Sequence, residues 1–335
     1  MAGLDLPRAP RVLVYVGLDL VGDGLIKLPF VQALRHAFPQ GELIWVAGKG
    51  ASAYRNALAP LVAGLLDAVV DQAEIGSRIG ELFSARPLAG QAFDLVIDTQ
   101  RRFLTTLIVK RLRSDYFLSG ALDFLLSDVK PPAGYQRPRA LARELLDLLA
   151  LATGRASEPM SPVALAPELE ALAARLLPAG PVYVALSPGA GGLDKRWPLQ
   201  NFVTVANSLA QNGRVPVMLL GPDEQGWRED LAAAAHDAIF PLQHPAVRAY
   251  NFRADVSVAL ARRCAAGVAA DSGGGHLIAA SGTRLVSLFG PTDPEKFAPL
   301  ATGLLVVKAQ RWGGSEMERI PPAAVLQAIE ELLLS

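Results

Sequence analysis

The hydrophobic positions of the chain form two alternating patterns: short runs rich in valine, isoleucine and leucine, and longer segments with apolar residues at helical spacing. The first short run, residues 11–16 (RVLVYV), has the length and β-branched content of a buried parallel strand. Residues 25–38 then carry one apolar face at helical spacing, and residues 41–48 form a second strand-like run. Strand, helix and strand in this order predict a βαβ unit and a parallel sheet.

The alternation continues and then restarts after a proline-bearing segment at residues 155–180. Before that segment, residues 137–154 predict a long amphipathic helix that ends at Gly154. Further strands are predicted at 67–72, 93–100, 182–187, 215–221, 267–271 and 284–290. We therefore predict two doubly wound α/β domains, residues 1–160 and 161–335, with the final helix (322–335) a candidate to pack back on the first domain. Ligands are expected where parallel strands end, and hence in a cleft between the domains.

Composition narrows the classes of function. Lysine plus arginine (32) equal aspartate plus glutamate (32), so no overall field favours nucleic acid or an anionic membrane. The single cysteine, Cys264, excludes an internal disulfide and fits a reducing cytoplasm. The N-terminal residues lack the pattern of a signal peptide, and no uninterrupted apolar window is long enough to span a bilayer. We expect a soluble cytoplasmic protein.

A first candidate site is the stretch SPGAGGLDKRWP at residues 187–198. Glycines after a strand allow close approach of backbone to ligand, and the start of the next helix offers unpaired N–H groups. Lys195 and Arg196 add two cations. The pattern favours a diphosphate site, although it matches neither common phosphate-loop motif. The alternative is a surface loop with solvated charges.

A second candidate site is ADSGGGHLIAASG at residues 270–282, where an acidic residue follows a predicted strand. Asp271 is suited to sugar or ribose hydroxyls, and Ser272 with the N–H groups that follow is suited to a phosphate. The alternatives are that Asp271 only caps a helix and that His276 is a structural histidine.

A third candidate is LVGDGLIKLP at residues 20–29. Asp23 at the entrance of the first predicted helix could be a general base, because a carboxylate near a helix N-terminus stays ionised. It could also simply cap the helix. Lys27 could bind an anionic acceptor or be solvated.

Together these segments resemble glycosyltransferase family 9, the ADP-heptose:lipopolysaccharide heptosyltransferases. The matching stretches occur in the family's order between residues 12 and 299: LVGDGLIKLPFVQALRHAFP, FDLVIDTQ, LSPGAGGLDKRWPLQNF, LLGPDEQ and ADSGGGHLIAASGTRLVSLFGPTDP. The combination of DKRWP with the later D-S-G-x-x-H and F-G-P-T-D-P is the most specific part of the resemblance.

The resemblance implies a GT-B architecture, in which two Rossmann-like domains face a central cleft. It implies an inverting glycosyltransferase that needs no metal and no cofactor, with ADP-heptose as its expected nucleotide-sugar donor. The implied acceptor is a lipid-linked oligosaccharide of the lipopolysaccharide core, with peripheral contact to the inner membrane and no role for nucleic acid.

The resemblance also assigns roles to residues. Asp23 matches the catalytic base and Lys195 the diphosphate-binding lysine. An acidic residue after the LLG strand meets the ribose, and here Asp223 and Glu224 compete for that role. The other residues expected to bind the donor are Ser187, Gly189, Arg196, Asp271, Ser272, Gly273 and His276, and those expected to bind the acceptor are Lys27, Gln100 and Arg101.

The chain departs from the family pattern around its first motif. Gly17 ends the first strand where a basic residue is common, Leu20 and Val21 stand where a small polar residue is usual, and Gly24 replaces an aliphatic residue. Three alternatives stay open: a family member with a different nucleotide sugar, a two-domain sugar-nucleotide epimerase, and a non-catalytic nucleotide-sugar-binding protein of envelope assembly.

Overall fold

The computed structural model describes residues 3–159 and 162–334, and the chain divides into two compact units, Met1–Met160 and Ser161–Ser335. Each unit contains one five-stranded sheet in which every strand pair is parallel. The predicted α/β class with two parallel sheets is confirmed. Residues 160 and 161, where the two domains were predicted to meet, lie outside the described ranges.

The sheet of the first unit has the strand order β3-β2-β1-β4-β5 of a Rossmann-type half. Its strands are β1 (Arg11–Val16), β2 (Glu42–Ala47), β3 (Ala68–Val70), β4 (Phe93–Asp98) and β5 (Ser114–Ser119). Its helices are α1 (Val21–Ala37), α2 (Ala59–Val62), α3 (Phe103–Val109) and α4 (Leu141–Thr153).

Burial explains why these runs form strands. Residues 12–16 of β1 are all buried, as are residues 43–47 of β2, so continuous apolar runs replace the alternation of a half-exposed sheet. Helix α4 packs along α1 and ends at Gly154, whose φ of 71° is the left-handed conformation that glycine adopts most easily.

The second unit has the order β10-β9-β8-β6-β7. Its strands are β6 (Tyr183–Ser187), β7 (Val215–Met218), β8 (Ala266–Ala270), β9 (Arg284–Phe289) and β10 (Leu304–Lys308). Its helices are α5 (Pro167–Leu176), α6 (Leu199–Gln211), α7 (Arg228–Ala234), α8 (Ala254–Arg262), α9 (Gly273–Ala280), α10 (Pro294–Phe297) and α11 (Pro322–Leu334). A single parallel bridge joins Val217 of β7 to Ile239, so a rudimentary outer strand completes the Rossmann-type order.

The final helix, α11, packs on the second unit itself. It contacts α6 and strands β8, β9 and β10, and its buried face includes Val325, Ile329 and Leu332. Arg214 of the α6–β7 connection and Glu330 on α11 form an ion pair. Ser335, the last residue of the predicted helix, lies outside the described residues.

Some predicted element bounds are wrong in an informative way. Helix α1 begins at Val21 rather than at residue 25, so the Gly-Asp-Gly turn expected before the helix is its first turn. Within this turn Gly24 packs closely on the neighbouring segment, because a Cβ there would lie only 2.7 Å from Leu58 Cδ1. Strands β5 and β10 were not predicted. Across residues 3–159 and 162–334, no helix has the length and apolarity needed to cross a membrane.

Trp197 anchors the glycine-rich loop of the second unit in its core. The side chain is 1% exposed, its Nε1 donates to the carbonyl oxygen of Ile320 at 2.9 Å, and its ring meets Phe202 edge-on. The residues just before it, Lys195 and Arg196, are therefore attached to a fixed point.

Trp197→Phe is expected to lower the free energy of unfolding of the second unit by about 2 kcal/mol, because the Ile320 carbonyl loses its partner and a small cavity forms. Denaturant unfolding monitored by circular dichroism measures this loss. Trp312→Phe, at a partly exposed tryptophan, is the control and should cost clearly less; equal losses would contradict the anchoring role.

Candidate functional site

The two cations of the glycine-rich loop are held by specific contacts rather than solvated. A three-residue 3₁₀ turn, Leu193–Lys195, brings Lys195 Nζ to 2.8 Å from Asp271 Oδ2, and Nζ also lies 5.8 Å from the Phe297 ring centre. Arg196 donates from Nε to the carbonyl oxygen of Ala190 at 3.3 Å, and its guanidinium lies over the Trp227 ring. The alternative of a loop with freely solvated charges is wrong.

The structure joins the first two candidate motifs at one edge of the sheet. Strands β6 and β8 are neighbours, so the loop after β6 and the segment after β8 meet where both strands end. The Lys195–Asp271 ion pair links these segments, and the Asp271 side chain is only 10% exposed. Sequence spacing alone could not show that residues 76 positions apart form one site.

Ser272, not Asp271, occupies the cap position of α9. Its backbone is extended, but its hydroxyl makes no capping bond to the helix. Ser272 Oγ is buried and has no hydrogen-bond partner within the described residues. A buried hydroxyl without a partner costs free energy, so this atom is suited to accept or donate a bond to a ligand. The helix-capping alternative for Asp271 is wrong.

Gly274 explains why this helix lies so close to β6. A Cβ at position 274 would lie 2.0 Å from Ser187 Oγ and 3.6 Å from Ser272 Oγ. Only glycine therefore allows the Ser187 hydroxyl, at the end of β6, to approach the first turn of α9. Gly273 begins the same turn, and the free N–H groups of this turn carry partial positive charge.

His276 lies on α9 and is buried. Burial lowers its pKa to about 4, against the opposing effect of the Asp271 carboxylate. The imidazole is therefore neutral near pH 7 and can offer one hydrogen bond but no charge. The positive charge of this site comes from Lys195, Arg196 and the helix terminus.

The structure distinguishes Glu224 from Asp223. A Cβ at Gly189 would lie 2.4 Å from Glu224 Oε1, and a Cβ at Gly221 would lie 2.8 Å from Oε2, so the Glu224 carboxylate rests against the backbone of both loops. Burial, and then the nearby Asp223 charge, raise the pKa of Glu224. Asp223 is exposed. Of the two, Glu224 is the one at the edge where β6 and β7 end.

In the first unit, Asp23 stands apart from its neighbours. It lies in the first turn of α1, is half-buried, and makes no hydrogen bond or ion pair with any residue that the structure describes. Asp23 does not cap the helix, because Leu20 holds that position. An unpaired carboxylate at a helix start is free to accept a proton from a bound hydroxyl.

Lys27, one turn further along α1, is neither solvated nor free. Its ammonium lies 3.3 Å from Oδ1 of Asp19, which is fully buried in the loop after β1. Asp19 also accepts hydrogen bonds from Trp45 Nε1 at 3.0 Å and Ser52 Oγ at 2.7 Å. Lys27 therefore supports this loop from inside, and the solvated alternative is wrong.

Gln100 and Arg101 follow β4 and differ in their surroundings. The Gln100 amide occupies the space above Gly17, where a Cβ would lie 2.6 Å from its Oε1, so glycine at the end of β1 makes room for it. Arg101 pairs with Glu144 on α4. Both residues lie at the edge where β1 and β4 end.

A family model described as glycosyltransferase family 9 (heptosyltransferase) matches residues 83–323. The chain belongs to this family. Asp23 and Lys27 precede the matched range, whereas Gln100, Arg101 and every predicted donor residue lie within it.

One sequence relative and two solved structures are similar to this family 9 protein. Lipopolysaccharide heptosyltransferase 3 of Escherichia coli is 29% identical over 173 residues, which cover 47% of this chain and 48% of that protein. The match thus spans about half of the relative. A family 9 structure from Veillonella parvula has a TM-score of 0.72 at 18% identity, with 98% and 99% of the two chains covered. E. coli heptosyltransferase WaaC with ADP has a TM-score of 0.65 at 21% identity, with 96% and 99% covered. At these identities the structures show the fold alone.

Several buried acids of this family 9 protein were missed in the sequence, and Asp19 and Asp98 are two of them. Asp19 is described above. Asp98 ends β4 and accepts hydrogen bonds from Thr106 Oγ1 at 2.7 Å, Ser119 Oγ at 3.0 Å and the backbone N–H of Gln100 at 2.9 Å. Burial nevertheless raises the pKa of Asp98 to about 6. The signal was available, because Asp98 follows a buried strand run in the same way as Asp271.

The low pKa of His276 predicts a pH effect on stability. The pKa of His276 in the folded protein lies below 6.5, the ordinary value for histidine, so folding favours the neutral ring. Between pH 6.5 and 4 the unfolded chain binds a proton at this residue and the folded protein does not. The free energy of unfolding is therefore unaffected by this residue above pH 6.5 and falls as the pH is lowered toward 4. Nitrogen-detected NMR of histidine-labelled protein should place the His276 midpoint near pH 4, assigned by its loss in His276→Gln. That variant should also lose less stability between pH 6.5 and 4. A His276 midpoint near 6.5 would contradict the burial argument.

Proposed function

We propose that this protein is an inverting, metal-independent glycosyltransferase that transfers heptose from ADP-heptose to an acceptor of the lipopolysaccharide core. Membership of family 9 supports the reaction class. The donor and acceptor are proposed from its relatives, which include a lipopolysaccharide heptosyltransferase of E. coli and the E. coli heptosyltransferase WaaC with ADP and with an ADP-heptose analogue. Because such an acceptor is lipid-anchored, the protein would act in the cytoplasm, at the inner face of the inner membrane.

The observation that most supports a donor site is the combination at the start of α9. Three groups lie close together there: the buried Ser272 hydroxyl, which has no partner in the described part of the chain, the N–H groups that begin the helix, and the Lys195 ammonium. Oxygen-rich diphosphates need donors and positive charge together, and each of these groups offers one or both. We therefore assign the diphosphate of the donor to this edge of the second unit.

Asp271 has a defined part in this assignment. Its carboxylate holds the Lys195 ammonium at 2.8 Å, which fixes the position of a flexible side chain before a ligand arrives. Preorganised charge is more effective in catalysis than charge that must move into place. Asp271 is thus a positioning residue for Lys195, and its second oxygen remains for a donor hydroxyl.

Glu224 is proposed to bind the ribose. Its carboxylate lies against Gly189 and Gly221, which keeps it at the edge occupied by the nucleotide, and hydroxyl groups satisfy a half-buried carboxylate. Asp223 points to solvent and has no such role.

The chemical step is a direct displacement. Asp23 takes the proton of an acceptor hydroxyl while the oxygen forms a bond to the anomeric carbon of the donor. The bond between that carbon and the phosphate oxygen breaks, and its electron pair leaves with the nucleoside diphosphate. Lys195, Arg196 and the N–H groups of α9 stabilise the negative charge on the leaving group, so the proposal needs no metal ion and no cofactor.

Asp23→Asn and Lys195→Ala separate the two halves of this mechanism. Asp23→Asn should keep the affinity for ADP and reduce kcat by about 10²–10⁴-fold, because only the base is lost. Lys195→Ala should weaken ADP binding and reduce kcat by about 10²–10³-fold. Calorimetric titration with ADP and a transfer assay with lipopolysaccharide core acceptor measure both effects. Undiminished transfer by the Asp23→Asn variant would show that Asp23 is not the general base.

The neighbouring acids offer a matched pair. Glu224→Gln should weaken ADP binding by about tenfold, since a charged hydrogen-bond acceptor is lost, whereas Asp223→Asn should change it little. If Asp223→Asn weakened ADP binding more than Glu224→Gln did, Asp223 and not Glu224 would be the ribose-binding residue. The transfer assay also distinguishes the proposed transferase from the two alternative functions. An epimerase converts the nucleotide sugar without acceptor, and a binding protein gives no product with any acceptor.

A further inference from the structure

The segment between β3 and β4 exposes two large apolar side chains. Instead of a crossover helix, residues 71–92 form an irregular stretch with one short 3₁₀ turn, Ile79–Leu82. Ile79 is 68% exposed and Phe83 is 86% exposed, whereas Leu82 packs against the buried apolar cluster on this face of the sheet. One side of the segment therefore completes the core, and the other side presents apolar surface to solvent.

The segment is fastened at several points, so Ile79 and Phe83 stay on its outer side. The Glu81 carboxylate accepts the backbone N–H groups of residues 76, 77 and 78 at 2.7, 2.8 and 2.7 Å. Thr105 Oγ1 of α3 donates to the carbonyl oxygen of residue 76 at 2.8 Å, and Arg111 donates to two further carbonyl oxygens of the segment. Side chains on a fixed backbone lose little conformational freedom when they bind a partner.

Positive charge accompanies the exposed pair. Arg78 and Arg86 lie in the same segment, are exposed, and make no salt bridge in the part of the chain that the structure describes. Arg111 is bound by carbonyl oxygens, which leave its charge in place. The segment has two acids: Glu81, which is turned toward backbone N–H groups, and Glu74, which is exposed. This local excess counts although the whole chain is neutral, because salt screens charges farther away than about 10 Å.

An anionic lipid surface fits both features. Apolar side chains can enter the boundary between headgroups and acyl chains, while arginines beside them reach phosphate groups with their stems in apolar surroundings. A protein partner fits less well. A large side chain buries roughly 150–250 Å², so two of them fall short of the roughly 800 Å² per partner of a stable protein–protein interface.

We propose that Ile79 and Phe83 insert into an anionic lipid bilayer and that Arg78 and Arg86 contact its phosphate headgroups. The reason for a membrane contact rests on the proposed function, to which the proposal adds a defined lipid-binding surface in the first unit. The surface itself rests on the exposure, rigidity and charge of this segment.

Co-sedimentation of the full chain with vesicles tests the surface. Vesicles of phosphatidylethanolamine with phosphatidylglycerol are anionic, and vesicles of phosphatidylcholine carry no net charge. We expect saturable binding that is tighter on the anionic vesicles and about tenfold weaker in each of Ile79→Ser and Phe83→Ser, because apolar area is lost from the bilayer. Arg78→Gln and Arg86→Gln should each weaken it about fivefold at low salt and less at high salt.

Leu334 offers a matched control in the second unit. It is 87% exposed and ends α11, so Leu334→Ser removes a comparably exposed apolar side chain from another element. Vesicle binding should be unchanged in this variant. Equal losses in Leu334→Ser and Phe83→Ser would show that general hydrophobicity, and not this segment, drives the binding.

Phe83→Trp reports directly on insertion. Its fluorescence should shift to shorter wavelength on anionic vesicles and should be quenched by lipids brominated in their acyl chains. The signal is taken as the difference from the unmodified protein, which has four tryptophans of its own. Circular dichroism confirms that each variant is folded, as expected for exposed positions.

Several results would overturn the proposal: no binding to anionic vesicles, unchanged affinity in folded Phe83→Ser, or a Phe83→Trp signal that brominated lipids do not quench. Absence of vesicle binding together with a dimer that Phe83→Ser dissociates in sedimentation would assign the two side chains to a contact between copies of the chain.

The transfer assay separates this proposal from the proposed function. With the acceptor embedded in vesicles, Ile79→Ser and Phe83→Ser should raise KM for the acceptor. With a water-soluble acceptor fragment that lacks acyl chains, kcat and KM should stay unchanged. If the unmodified protein transfers nothing yet binds anionic vesicles through Phe83, the proposed function fails and the lipid surface stands. If it transfers and Phe83→Ser changes nothing with vesicles, the lipid surface fails and the proposed function stands.

Discussion

Every strand pair in both units is parallel, and the central strands are buried on both faces, so charged side chains are accommodated chiefly where strands end. Four buried or nearly buried carboxylates lie at such ends or directly over them: Asp19, Asp98, Glu144 and Asp271. Each has specific partners, because an unpaired carboxylate away from water is costly. The edges of the sheets are therefore where the fold itself concentrates chemistry.

The carboxylates are satisfied in different ways, and the difference bears on function. Among the described residues, Asp98 is held by two hydroxyl donors and a backbone N–H and by no cation, and burial raises its pKa to about 6. Asp271 is instead paired with Lys195, and Glu144 with two arginines. The arrangement at Asp98, in which protein groups supply the hydrogen bonds, is typical of a structural role. The other two hold cations in fixed, partly exposed positions.

Much of this organisation was predictable from local pattern. The βα alternation predicted both sheets, and Gly154 predicted the end of α4. The glycine-rich stretches predicted close backbone approaches, and Gly189 and Gly274 provide them. Two strands were missed: SDYFLS begins with polar residues, and LLVVK is a short run that periodicity alone does not assign. Glu144 was missed as well, although an acid among the apolar residues of an amphipathic helix indicates a buried partner.

The sequence by itself determined the fold class, the positions of the glycine loops and the residue types that carry charge, because these depend on periodicity and on interactions between neighbours in the chain. Only the tertiary structure decided which of those charges meet. Lys27 turned out to be bound to Asp19, Glu224 rather than Asp223 lies against the glycine loops, and Arg101 shares Glu144 with Arg137. Such pairings arise when separate segments arrive at the same edge of a sheet, and the register of the strands, rather than distance along the chain, sets which side chains come within hydrogen-bonding reach.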